Sequence, residues 1–172
     1  MPTYVPLPDL PIRLTARGAW LHGEQPMHPR VATLFFRNLV PQASGTYAVV
    51  LGPARQLIEV EDTALFVTGL DLEMSPDDPA RLRRIGLQLS DQTAEELAPQ
   101  TLMQSQARIL YCRVQRHGLS VPVRFSSEQY HRLMLLADAI ADPAAPDGYR
   151  AQLRVDDSIY AVANYDGRVL PS

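Results

Sequence analysis

Two stretches of the chain follow one plan, and that repetition limits the fold more than any single motif does. The first runs from Gly18 to Glu73: a short hairpin over Ala19 to Met27, a helix from Pro29 to Val40, then two strands. The second is again a strand pair with a His-Gly turn and a proline (Tyr111 to Phe125), a helix from Ser127 to Ala141, and two short strands. At about 100° per residue, Val31, Leu34, Phe35, Asn38 and Leu39 cover one side of the first helix. Tyr130, Leu133, Met134, Ala137 and Ala141 cover the matching side of the second. This pattern predicts an α+β protein of two similar halves, each one helix packed on a small antiparallel sheet. Residues 1–74 make the N-terminal half with an extended, proline-rich arm over Met1 to Pro11, residues 75–107 connect, and residues 108–172 make the C-terminal half. Outside the helix faces, Phe36 and Leu135 occupy equivalent places. They either widen an apolar stripe or mark where the halves meet.

Local signals place the elements. Pro29 suits the first turn of a helix because its missing N–H would have no partner there, and Pro41 closes that helix. Thr46 to Leu51 and Gln56 to Asp62 read as an antiparallel hairpin about Gly52-Pro53, and Ala64 to Leu72 and Leu82 to Leu89 as further strands. Asp91 to Gln106 is polar and is expected to be the least ordered interior segment, with one helical turn over Thr93 to Leu97. Arg108 to Gln115 and Leu119 to Phe125 form a hairpin about His117-Gly118, and Ser126 and Gln129 have the spacing of a capping box. Tyr149 to Val155 and Ile159 to Asn164 make a last hairpin before Asp166-Gly167 turns the tail outward. His22 and His117 are expected in equivalent turns.

Composition then excludes chemistry. A chain of 172 residues buries roughly 70% of its unfolded surface and needs no metal or disulfide to fold. No apolar run approaches the roughly 20 residues of a membrane span, and Met1 to Pro8 lack the basic start and apolar centre of a signal peptide; the expectation is a cytoplasmic protein that does not engage a membrane. Cys112, the only cysteine, excludes an internal disulfide and reads as a buried, unreactive thiol. All sixteen basic residues are arginine, which removes phosphate-loop ATPases, kinases and Schiff-base enzymes, all of which need lysine. A net charge of −3 without a basic stripe argues against nucleic acid as partner. The four histidines pair with no acid or His at a helical metal spacing, so neither a metal site nor a cofactor is expected. Glu59 and Glu61 share one side of a strand, where a solvated face is a better reading than an acid–base pair. The balance is against an enzyme.

Trp20 to Leu39, Gly45 to Leu51, and Val60-Glu61-Asp62 with Phe66 resemble the N-terminal signature of an uncharacterised bacterial family, domain of unknown function 1285. That signature runs from a Gly-aromatic hairpin and a glycine turn to a proline (Pro26, Pro29), a helix with Leu34-Phe35, a Gly-aromatic strand (Gly45, Tyr47) and a Val-Glu-Asp strand after Pro53. The chain departs from it at His28, where the family tends to have Arg, and at Ala54-Arg55, where it tends to have an acidic-basic pair. The resemblance implies a duplicated α+β core with a C-terminal half of pleckstrin-homology-like shape. It also implies a small-ligand site between the halves, nucleotide-like in class, and a part in signalling.

The functional expectation is therefore non-catalytic binding of a small anionic ligand in the cleft between the halves, since clefts between domains are preferred ligand sites. Without lysine, arginine must carry the anion: Arg30 and Arg37 project from the first helix away from its core face, and Arg55 lies on the turn after Pro53. Trp20 supplies an apolar wall, and Glu61 is the acidic member of the set. A protein-interaction module, with edge strands that pair with a protein partner, is the alternative; a hydrolase-type enzyme ranks below both.

Overall fold

The computed structural model describes residues 10–165, so most of the expected arm and the tail turn at Asp166-Gly167 lie outside the described residues. Short strands open the chain: β1 (Ile12–Leu14), β2 (Trp20–His22) and β3 (Gln25–Pro26). Gly18 permits the first reversal at φ +82, and a Cβ there would meet the Phe66 ring at 3.5 Å, so both backbone freedom and close approach favour glycine. Helix α1 (Pro29–Arg37) follows, then β4 (Leu39–Pro41), β5 (Tyr47–Leu51) and β6 (Ala54–Val60). Next come β7 (Leu65–Met74), β8 (Leu82–Leu89), β9 (Ala94–Glu96), a 3₁₀ turn over Pro99–Thr101, β10 (Met103–Gln104), β11 (Leu110–Arg116) and β12 (Leu119–Phe125). Helix α2 (Ser127–Met134), β13 (Ala137–Ala141), β14 (Tyr149–Val155), β15 (Ser158–Ala161) and β16 (Ala163–Asn164) complete the described residues.

The strands form three sheets, ordered β3-β2-β1-β6-β5-β4, β16-β10-β11-β12-β7-β8-β9 and β13-β14-β15. The protein is α+β, but the first two sheets are mixed rather than antiparallel, because β1–β6, β7–β12 and β10–β16 pair in parallel. Parallel pairing needs a crossover, which here brings strands distant in sequence side by side. The β11–β12 hairpin closes on His117 (φ 50) and Gly118 (φ 75), the double positive-φ turn that matches strand twist. His22 is placed differently: it ends β2 and pairs with Gln25, so Gly23-Glu24 make that turn. One hydrophobic cluster runs through all three sheets, with Leu14, Val67, Cys112, Val123, Leu133 and Leu153 wholly buried within it.

Both helices are shorter than their apolar stripes suggest. Asn38 stops α1 by donating from Nδ2 to the Leu34 carbonyl at 2.8 Å, and Leu39–Pro41 then pairs with Tyr47–Val49. After α2, Ala137–Ala141 pairs with Tyr149–Leu153. An alanine-rich run has high helix propensity, but pairing with a neighbouring strand overrides it. Each helix is thus followed by a three-stranded antiparallel meander, β4-β5-β6 and β13-β14-β15, where two strands were expected. Ala163–Asn164 likewise leaves the final hairpin to join β10 in the seven-stranded sheet.

Residues 91–106 are not a loose loop. Leu97 and Leu102 are buried, the Leu97 amide donates to the Ile85 carbonyl at 2.8 Å, and Thr93 to Leu97 holds strand β9 instead of a helical turn. Arg116 fastens the segment by donating to Asp91 at 3.0 Å, to Thr93 at 2.6 Å, and to Glu95. Burial opposes the Arg116 charge, but the hydrogen bonds it donates to Glu95 and Asp91 and the charges of those carboxylates outweigh it and raise the pKa. Phe36 and Leu135 also part company. Phe36 stands edge-on to Trp20 at 5.3 Å and to Phe66 of β7 at 6.3 Å, a seam between two sheets, whereas Leu135 at the end of α2 is 85% exposed.

Candidate functional site

The sequence candidates lie apart. Trp20 is buried, with its ring edge-on to Phe35 and Phe36 at 5.3 Å each, so it is a core anchor rather than an open wall. Arg30 and Arg37 are exposed on α1, separated by about 10 Å of helical rise. Arg55 is exposed on strand β6, not on the turn, and its guanidinium donates to Gln42. Glu61 accepts from the Ala16 amide at 3.0 Å and pairs with Arg13 at 3.6 Å, while Glu59 is exposed, consistent with a solvated strand face. No hydrogen bond, ion pair or ring contact among the described residues joins any two of Trp20, Arg30, Arg37, Arg55 and Glu61.

A cavity of about 750 Å³ opens elsewhere, lined by residues between Gln104 and Tyr165. It falls within the C-terminal part and its connector rather than between the two expected halves. Helix α2 makes one wall. Ser126 Oγ accepts from the Gln129 amide, half of the capping box. The other half is replaced: buried Gln129 accepts from Arg132 at 2.9 Å, and Arg132 reaches the Leu70 carbonyl at 3.3 Å, tying α2 to β7. Tyr130 and Met134 thereby face the cavity, and Gln104 donates to the Tyr130 hydroxyl at 3.1 Å.

Small residues form much of the rest of the lining: Ala137 and Ala139 from β13, Ala151 from β14, and Ala144 and Ala145 from the loop after β13. That loop, Asp142 to Gly148, is bracketed by acids. Asp142 turns it by accepting from the Ala144 amide at 3.0 Å and pairs with Arg150 at 2.6 Å. Asp147 at the other end pairs with Arg108 at 2.7 Å. Arg108 and Arg150 both line the cavity, as do Tyr149 and Tyr165, so two guanidinium groups and three tyrosines, Tyr130 included, surround an alanine-lined space.

Tyr165 connects this cavity to a second cluster. Its ring stacks on Tyr111 at 4.2 Å and 27°. The Tyr111 hydroxyl donates to Asp62 Oδ2 at 3.0 Å, and Arg124 reaches the same oxygen at 2.7 Å. Burial, then the neighbouring Asp62 charge, raises the Tyr111 pKa, and burial also raises that of Tyr47. Cys112 is wholly buried, and burial pushes its thiol up to about 12, so it is inert as expected. No group of three or more potential metal ligands exists among the described residues, and no helix among them is long and apolar enough to cross a membrane.

Sequence reasoning missed Arg108, Arg150 and Tyr130. The available signal was the segment Asp142-Pro-Ala-Ala-Pro-Asp147, a small-residue loop with an acid at each end, which asks for a cation on either side.

No protein-family model matches the chain, and no curated protein does. Solved structures do: the architecture is that of the DUF1285 family proteins, the family whose signature the N-terminal residues resemble. A DUF1285 family protein from Silicibacter pomeroyi DSS-3 superposes with a TM-score of 0.65 at 15% identity, over 90% of this chain and 80% of that one. One from Shewanella baltica OS155 superposes with a TM-score of 0.53 at 16% identity, over 72% of this chain and 89% of that one. At such identities the likeness is one of fold.

Proposed function

We propose that the chain binds a small anionic ligand, nucleotide-like in class, without catalysing its reaction, in the cavity beside α2. The observation that carries this reading is the pair Arg108 and Arg150 on the lining of a 750 Å³ space, within the roughly 300–1,000 Å³ of small-molecule sites. The Arg108 and Asp147 side chains are 69% and 50% exposed, and an exposed ion pair contributes about 0–1 kcal/mol. Exchanging that carboxylate for a ligand phosphate therefore costs little, and the guanidinium fork binds two of its oxygens together. The tyrosines offer faces to a planar base. In this reading the two helix-and-meander units are copies of one plan, the second carrying the pleckstrin-homology-like shape that the resemblance implies. The part in signalling rests on the resemblance alone.

A thermal-shift series with phosphate, pyrophosphate and AMP tests it. A ligand present at about 100 times its Kd stabilises the folded state by about 2.7 kcal/mol, which is a rise of several degrees. Arg150→Ala and Arg108→Ala should each reduce that rise, whereas Arg30, Arg37 and Arg55 changed together to Ala should not. The reverse pattern would return the site to helix α1 and β6. No shift with any of the probes would end the anionic-ligand reading.

A protein-interaction role is the second reading, favoured by Ile159, 50% exposed on the edge strand β15, where an extended peptide can add a strand. Pull-down with wild type and Ile159→Asp, compared for one stoichiometric partner, separates the two.

A further inference from the structure

The Val60-Glu61-Asp62 segment is one of the clearest parts of the family-like signature, yet Asp62 is not on the cavity lining. It follows β6 of the six-stranded sheet, but its carboxylate is inserted against the seven-stranded one. There Tyr111 on β11 and Arg124 on β12 are directly opposed in register, so their side chains leave the same face. Both converge on Asp62 Oδ2. The Asp62 and Arg124 side chains are only 18% and 20% exposed, so water competes little for this contact.

The hydroxyl of Tyr111 is thus fixed, and with it the ring, which is 3% exposed. Tyr165 stacks on that ring and lines the cavity. Its backbone is held separately, the Tyr165 amide donating to the Gln104 carbonyl at 2.9 Å. What Tyr111 sets is therefore the tilt of the Tyr165 side chain. Tyr47 and Arg113 approach the same cluster, Tyr47 being electrostatically coupled to both Arg113 and Tyr165, and Arg113 is occupied by Ser120 at 2.8 and 2.7 Å.

We infer that Asp62 is a positioning residue for the cavity: through the Tyr111 hydroxyl it fixes the Tyr165 ring, and so the width of the space that a planar ligand enters. This rests on the cavity being the binding site. It also makes occupancy of the cavity responsive to the seam between the six-stranded and seven-stranded sheets, because Asp62 lies in the connection from β6 of the one to β7 of the other, and its partners lie on the seven-stranded sheet. An ion pair that merely joins the sheets would not involve Tyr165.

The test uses Tyr111→Phe, which keeps the ring and drops the hydroxyl, together with Asp62→Asn and the double variant. Tyrosine-ring labelled protein, with Tyr165 assigned by Tyr165→Phe, reads the position of that ring without any ligand. Both single variants should move the Tyr165 ring resonances, and the double variant should move them no further, since both act on one contact. AMP binding by calorimetry should weaken about three- to tenfold in each single variant, with the double no worse. Tyr165 resonances unchanged in both single variants would overturn the proposal, as would moved resonances with AMP affinity unaltered within twofold. Should AMP fail to bind wild type while the resonances still follow Tyr111, the ligand reading falls and the positioning of Tyr165 by Asp62 stands.

Discussion

The two helix-and-meander units begin alike and end differently. In the first, α1 buries no residue completely and is held by Phe35 and Phe36 against Trp20, and its meander is extended by the opening strands into six. In the second, α2 buries Gln129 and Leu133, its meander stays three-stranded, and the space beside it is lined by alanines and left open. Aromatic rings fill the Trp20 side of α1 and leave a hollow of about 430 Å³ beside Val31 and Phe35, whereas small side chains beside α2 leave about 750 Å³. The wider of these two spaces thus lies in the second unit, although the family-like signature lies in the first.

Removing the filler should hurt the first unit most. Trp20→Ala should destabilise by about 3–5 kcal/mol, and Leu133→Ala, on the buried face of α2, by about 2–5 kcal/mol. Urea melts of both variants measure this. Equal and small losses would mean that neither helix depends on its anchor, and the contrast between filled and open units would fail.

How much of this was legible in the sequence depends on range. Leu82–Leu89, Leu119–Phe125 and Tyr149–Val155 were readable to the residue, because alternation and flanking turns are local. Leu39–Pro41 and Ala137–Ala141 were not, since their apolar residues fit a helical stripe equally well and only a strand partner decides. The cavity was illegible for the same reason. Its walls come from α2, the β10–β11 turn and the end of β16, joined by pairings such as Gln104 with Asn164, sixty residues apart. Arginines were chosen for being exposed, yet Arg116 gained Asp91 and Glu95 as partners and Arg124 gained Asp62, segments far along the chain that no spacing rule reveals.

The equivalence of Phe36 and Leu135 is where the comparison breaks most sharply. Phe36→Ala should cost about 2–4 kcal/mol, the lower part of the range for an aromatic residue only partly buried. Leu135→Ala should stay within about 0.5 kcal/mol, as exposed substitutions do. A pair of chemical melts under one set of conditions decides, and a comparable cost at Leu135 would restore the symmetry of the halves.

An alkaline titration sharpens the view of the seven-stranded sheet, which carries Tyr111 and Cys112 on β11 and holds no strand of either meander. Cys112 and Tyr111 both have raised pKa values in the folded protein, so folding favours their protonated forms. That stability is fully present below the unfolded thiol value of 9.0 and is lost as pH rises toward about 12. Stability should fall over that window, and less steeply in Cys112→Ala. A slope identical to wild type would mean that the buried thiol contributes nothing.

A near-neutral substitution tests the open space itself. Ala151→Leu places a larger apolar side chain where the lining of the cavity leaves room, so the strain that usually accompanies overpacking, about 1–3 kcal/mol, should be largely absent. The variant should melt within about 1 kcal/mol of wild type, because the added carbons enter a void rather than displace packed neighbours. Binding should respond differently. A side chain projecting from β14 beside Arg150 occupies the volume a ligand needs without touching the ion pairs with Asp142 and Asp147, so the thermal shift produced by AMP should disappear while the fold persists. If Ala151→Leu instead destabilises by more than about 3 kcal/mol, the space beside α2 is not open in solution. If the variant is stable and the AMP shift survives, the ligand sits elsewhere, and the difference between the two units is one of packing alone.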